Sequence, residues 1–285
     1  MKPLLHLLLW ACLSGLTHAA ELPRSDNPEQ FKQEVIEYTI SLVGVGIPRA
    51  SEKPELWKAI KEDPRDWEAG LAEIIGTPEQ YGMGETESAL LMAILRNKGT
   101  DPRISAATVR LFEHTVQTSV ERLDTVTDNP SVITGAKGRI GSRVAAMVRT
   151  DSPDVLQSIL EYFNSPEADR LGTLEKVTPK YVAPALQEYG DLRNAEEALR
   201  VAAKLASMGK TDFASDIRRA AERIKKDAGD KNAATGTLSQ DGTNHVPGTD
   251  DKDNASERLL WPWLAAGGAL IAALLAYFRL KRTGT

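Results

Sequence analysis

The sequence predicts an all-α protein, and three observations carry that expectation. A cap residue followed by proline occurs eight times, at Asn27-Pro28, Asp63-Pro64, Thr77-Pro78, Asp101-Pro102, Asn129-Pro130, Ser152-Pro153, Ser165-Pro166 and Thr178-Pro179. The cap side chain can accept from a free N–H of the first helical turn, and proline at the first helical position needs no N–H and has its φ preset. The stretches after most of these dipeptides repeat their apolar residues every three or four positions, the spacing of one helix face. No run alternates apolar and polar residues convincingly, as a half-buried strand does. These features predict about ten or eleven short-to-medium helices with short connections. Their neighbours are expected to be antiparallel, in an αα-superhelix or a helical bundle, with one C-terminal transmembrane helix besides.

Along the chain, Asn27 to Gln30 and Thr77 to Gln80 have the form of capping boxes. The run from Ile40 to Ile47 is ambiguous, because Gly44 and Gly46 spoil helix propensity near a helix end. Trp57 and Trp67 fall on consecutive short helices, either as packing residues or as anchors of a groove. Trp67, Leu71, Ile74 and Ile75 share a face. Ile104, Ala107, Thr108, Leu111, Phe112, Thr115, Val116, Ser119 and Leu123 form a long stripe. Val155, Leu156, Ile159, Leu160 and Phe163 form another. Leu192, Ala195, Leu199, Ala202 and Ala206 make a small-residue stripe, followed by Phe213, Ile217, Ala220 and Ile224.

The two ends predict the compartment. Residues 1–19 read as a cleavable signal peptide, with Lys2, an apolar run from Leu4 to Leu16, and small residues Thr17 and Ala19 before the cut. Cys12, the only cysteine, would leave with it, so no disulfide, thiol nucleophile or cysteine zinc site is expected. Residues 20–226 are then an extracytoplasmic helical domain. Residues 227–257 carry seven acids, two lysines and no aromatic residue, the composition of a disordered acidic linker. Residues 258–279 read as a transmembrane helix. The charge-free stretch 259–278 has Trp261 and Trp263 at one end and Tyr277 and Phe278 at the other. Arg279, Lys281 and Arg282 then place the short basic tail, 280–285, in the cytoplasm by the positive-inside rule. Gly268, Ala272 and Ala276, spaced at four, are transmembrane packing candidates for a weak homodimer seam, although small residues are common in spans. Val246-Pro247-Gly248-Thr249-Asp250 resembles a degenerate cell-wall sorting signal, with Val246 and Asp250 departing from the motif. The expected protein is a single-pass protein of the cell membrane, with its N-terminal domain in a bacterial periplasm or on the cell surface.

The run Val182, Ala185, Leu186, Tyr189, Gly190, Asp191, Ala195, Ala198, Leu199, Ala202, Ala203, Leu205 and Gly209 resembles HEAT-type repeats over residues 181–226. That resemblance implies a curved helical surface that binds partners. Helix starts elsewhere are unevenly spaced, without the fixed period of a regular solenoid.

Little in the composition points to catalysis. The net charge is −5 over 285 residues, which offers nothing to nucleic acid. Two histidines follow the signal, His114 and His245, and they do not form a metal-spaced pair; no metal and no cofactor is expected. Three glycines spaced at three, with Lys137, Arg139 and Arg143, form the segment Gly135 to Arg143. They can make an anion-binding nest near a helix start, or let Gly135, Gly138, Ser142 and Ala145 admit a close helix neighbour. Glu87-Ser88 follows a Gly82-Met83-Gly84 loop and resembles the acid–serine pair of helical lytic transglycosylases, which implies Glu87 as a catalytic acid on peptidoglycan. The aromatic-glycine motif and the Gly-Leu-Met-Gln run of that family are not in this sequence. Two classes of function therefore stand. One is a non-enzymatic interaction or scaffold protein binding a protein or an envelope polymer, with a subunit of a membrane complex or receptor as a variant. The other is an envelope hydrolase acting through Glu87.

Overall fold

The computed structural model describes residues 21–97, 101–125 and 130–237. Among these are eleven α-helices, one 3-10 turn and no strand. The helices are α1 (Pro28–Ser41), α2 (Pro54–Glu62), α3 (Trp67–Gly76), α4 (Met83–Asn97), α5 (Pro102–Thr125) and α6 (Pro130–Met147). After a 3-10 turn at Val148–Thr150 come α7 (Pro153–Asn164), α8 (Pro166–Leu171), α9 (Leu174–Tyr189), α10 (Leu192–Ser207) and α11 (Thr211–Thr237). The signal segment 1–19, the span 258–279 with Gly268, Ala272 and Ala276, and the tail 280–285 lie outside the described residues. Among the described residues no helix is long and apolar enough to cross a membrane.

Five of the eight cap–proline dipeptides begin helices: α1, α5, α6, α7 and α8 all open on the proline. Asn27, Ser152 and Ser165 accept from the third residue of their helices, as capping side chains do. The other three dipeptides do something else. Asp63 closes α2 instead of opening α3, because its carboxylate is taken by Arg65 Nη2 at 2.7 Å and Trp67 Nε1 at 3.0 Å. The cap of α3 is Asp66, which accepts from the Ala69 N–H at 3.2 Å. Thr77 closes α3, donates its hydroxyl to Glu73 O, and starts a turn rather than a capping box. Thr178-Pro179 lies inside α9, which starts at Leu174. At the far end, α11 carries the chain past residue 226 into the segment read as a linker.

Nine of the eleven described helices fall into two rows. In one, α1 packs on α3, α3 on α5, α5 on α7 and α7 on α10; in the other, α2 packs on α4, α4 on α6 and α6 on α9. Short connections carry the chain between the rows, so the apolar stripes face inward between them. The α5 stripe is buried as its spacing predicts. Its polar members are accommodated because Thr108, Thr115 and Ser119 donate to carbonyls four residues back. The α7 stripe from Val155 to Phe163 is fully buried. In the last two helices the expected faces hold in part: Ala195, Ala202, Ile217 and Ala220 are buried, and Leu199, Ala206 and Ile224 are partly buried. Helix α10 buries Ala195, Ala198, Val201, Ala202 and Leu205 and leaves Leu192 48% exposed. Helix α11 buries Ala214, Ile217, Ala220 and Ala221 and leaves Phe213 41% exposed. Alanine-rich helices offer several faces of similar apolarity, so packing rather than periodicity selects among them.

Trp67 anchors the first four helices. Phe31 and Tyr38 of α1 meet it edge-on at 5.9 and 6.0 Å. Arg96 of α4 lies 5.7 Å from its ring. The Arg96 guanidinium is buried and bonded on every side. Nε donates to Glu68 Oε1 at 2.8 Å, Nη1 to Ile60 O, and Nη2 to Asp63 O at 2.7 Å. Trp57 is also core, its indole N–H donating to Pro48 O at 2.7 Å, whereas Trp67 borders the hollow beside α2, so the two tryptophans do not anchor one shared groove. At Gly70, helices α1 and α3 come close enough that a Cβ would stand 2.8 Å from Val35 Cγ1 and 2.9 Å from Lys32 O.

Two stability measurements test this packing. Gly70→Ala should destabilise by about 1–3 kcal/mol in chemical denaturation, since a backbone carbonyl is among the atoms that must move. Burial would raise the pKa of Asp63, but hydrogen bonds from Arg65 and Trp67 outweigh it and hold the carboxyl at about 2. Its folded pKa is therefore depressed, so its contribution is full above the unfolded value near 4 and is lost as pH falls towards 2. Asp63→Asn should remove about 2 kcal/mol at neutral pH. It should also flatten the loss of stability between pH ~4 and ~2 when unfolding is followed by tryptophan fluorescence.

Candidate functional site

Glu87 and Arg143, singled out for different reasons, meet in the structure. Glu87 stands on the exposed side of α4, one residue after Thr86. Arg143 is on α6, which packs directly against α4. The buried face of α6 is Ala136, Ile140, Arg143, Val144 and Met147, so an arginine occupies a position on an apolar stripe. It is 5% exposed. Its Nη2 donates to Thr86 Oγ1 at 3.3 Å. Its Nη1 is buried without a hydrogen-bond partner. Glu87 Oε1 lies 3.9 Å from that nitrogen, beyond hydrogen-bond range, and the Glu87 side chain is 57% exposed. Burial lowers the Arg143 pKa from its ordinary value and Glu87 opposes the shift. Arginine nonetheless stays protonated in proteins, so a charge is held in the wall of the fold.

A cleft of about 240 Å³ runs along this contact. Helix α4 contributes Glu87, Leu90, Leu91 and Ile94; α6 contributes Ser142, Arg143 and Ala146; Arg149 comes from the 3-10 turn. Ser142 and Arg149 are exposed. The lining has two guanidinium groups, one carboxylate, one hydroxyl and an apolar wall. Sequence reasoning missed Leu90, Leu91, Ile94 and Arg149. The available signal was Arg143 itself, a cation at helical spacing among Ala136, Ile140, Val144 and Met147.

The glycine-rich segment departs from both expectations for it. Gly135 to Arg143 lies in the interior of continuous helix α6, which starts at Pro130, so its N–H groups serve the helix and make no nest. Gly135 and Gly138 are exposed, and a Cβ at either would meet nothing within 4 Å, so they admit no close neighbour. Nothing in the structure explains glycine at these two positions. The three basic residues have different neighbours. Lys137 Nζ lies against Gly172, the left-handed residue that ends α8, where a cation complements the helix terminus. Arg139 is half-buried, and burial together with the like charge of Arg122 lowers its pKa. Only Arg143 reaches the cleft.

Other candidates resolve into structure. His114 Nδ1 is 3.3 Å from Glu79 Oε1 on a partly exposed helix flank. A larger hollow of about 360 Å³ lies between the N-terminal segment and α2, but its Asp63 and Arg65 are bonded to each other. Among the described residues no cluster of three or more His, Cys, Asp or Glu side chains could hold a metal ion.

If the α6 glycines are only unfilled helix positions, Gly135→Ala and Gly138→Ala should each stabilise the fold by about 0.5–1 kcal/mol in thermal or chemical denaturation. Destabilisation at either position would show that it is more than an unfilled helix position. Compared with known proteins, the chain matches no family model, no curated protein and no solved structure.

Proposed function

We propose that this protein is a membrane-anchored, extracytoplasmic helical binding module without catalytic activity of its own. The two-row arrangement of its helices, in which alternate helices pack together as far as α7, supports the superhelix reading over a closed bundle. The sequence ends support a signal peptide, a tether and one C-terminal span, with the helical domain held outside the membrane. The observation that carries the non-enzymatic reading is the setting of Glu87. A glycosidic general acid works from a dry, apolar pocket that keeps it protonated, paired with a second carboxylate or an equivalent group. Glu87 is instead exposed to solvent and faces a buried guanidinium, and it is the sole carboxylate lining the cleft.

The test is zymography on peptidoglycan with the full chain and with Glu87→Gln, alongside crosslinking in the native membrane. The expected outcome is no clearing by either protein and recovery of a partner above background. Clearing by the full chain that Glu87→Gln abolishes would establish the hydrolase instead.

A further inference from the structure

We propose that the cleft between α4 and α6 receives the free C-terminal carboxylate of a partner polypeptide that ends in an apolar residue, with Arg143 as the recognising cation. The proposal rests on the binding-module reading above and adds the chemistry of what is bound.

Arg143 and Arg96 make the argument by contrast. Their side chains are buried to the same degree, 6% and 7% exposed. Arg96 is bonded to a carboxylate and to backbone carbonyls through all three guanidinium nitrogens. Arg143 has one hydrogen bond, to a neutral hydroxyl, and a buried Nη1 with none. A buried guanidinium left in this state is costly, and an apolar side chain of similar volume would serve packing better. What Nη1 lacks is an acceptor, and a carboxylate is the acceptor whose planar geometry matches a guanidinium edge. Glu87 stands nearest but holds back at 3.9 Å, largely in solvent. It covers the position without filling it, so an incoming carboxylate displaces it outward. Arg149, exposed at the rim and without an ion-pair partner among the described residues, supplies a second cation for the same group.

Size and lining select the carrier of that carboxylate. Sites for drug-sized ligands occupy roughly 300–1,000 Å³, and this cleft, at about 240 Å³, takes about one residue. The wall opposite the cations is Leu90, Leu91 and Ile94. A chain terminus presents a carboxylate and an apolar side chain on the same carbon, so both enter together. A mid-chain Asp or Glu would bring two flanking peptide groups against a wall that has no partners for them. Capture of a terminal carboxylate is an established mode of peptide recognition.

The experiment uses the full chain in detergent micelles and a fluorescein-labelled tetrapeptide, Gly-Gly-Ala-Leu, with a free C-terminus. Anisotropy is read against its C-terminally amidated twin. The expected result is saturable binding that amidation weakens at least tenfold and Arg143→Met weakens equally. Arg149→Ala should weaken it several-fold. Glu87→Ala should strengthen it several-fold, because a competing carboxylate is gone. Arg143→Met should keep the fold, as replacement of a buried charge by an apolar group of similar volume commonly does. Thermal unfolding checks this, and exposed Arg149→Ala provides the test if it fails. Equal binding of the free and amidated peptides, no saturable binding at millimolar peptide, or weaker binding in Glu87→Ala would each overturn the proposal. So would tighter, Arg143-dependent binding of inorganic phosphate or of a peptidoglycan fragment, which would reassign the cleft to that anion. If crosslinking recovers a partner while the peptide does not bind, the cleft assignment falls and the binding-module reading stands.

Discussion

The N-terminal half of the fold depends on the buried Arg96 guanidinium. It reaches from α4 to the Ile60 carbonyl of α2, to the Asp63 carbonyl just past that helix and to Glu68 of α3, while lying near the Trp67 ring. The end of a helix leaves carbonyls without partners, and a buried helix end needs something to satisfy them. Here one side chain takes a carbonyl of the last turn of α2 and pairs with Glu68 at once. Breaking one partner of such a buried pair typically costs about 3–5 kcal/mol, because the remaining charge stays in the core. The arrangement also explains why Asp63-Pro64 could not start a helix. The Asp63 carboxylate faces Arg65 and Trp67, its carbonyl faces Arg96, and the chain must turn before Asp66 can cap α3.

Much of this architecture was legible in the chain before any coordinates. The all-helical class followed from proline placement and from stripes such as Ile104 to Leu123, where spacing and burial agree. The errors share a physical origin. Ser, Thr, Asn and Asp before proline serve helix starts and turns alike, and the choice depends on which distant groups compete for the side chain. Thr77 found Glu73, and Asp63 found Arg65. Helices built from alanine, such as α10, carry too little contrast between faces for periodicity to choose one. Helix α11 runs to Thr237 through acidic, glycine-containing sequence whose composition reads as linker.

The site was legible only in its components. Glu87 and Arg143 were each visible as chemistry-bearing residues, but 56 positions of chain separate them. Only the packing of α4 on α6 brings them together. Glycine spacing drew attention to the right helix for the wrong reason: Gly135 and Gly138 face open space, while the residue that matters is buried on another face. A charged residue within an apolar stripe is a sharper signal than a glycine pattern, since burial of a charge needs a reason and exposure of a glycine does not.

Helix α11 has a mechanical consequence. Its deeply buried residues end at Ala221, with Ile224 packed beside Gly190, whereas the helix itself continues to Thr237. From Glu222 to Asp230 the side chains are mostly exposed, so this stretch is stiffened by its own backbone hydrogen bonds more than by packing. Tension applied along this helix would reach the domain through the small patch of Ala214, Ile217, Ala220 and Ala221. That patch, rather than the bulk of the core, sets the load at which the last helix would peel away.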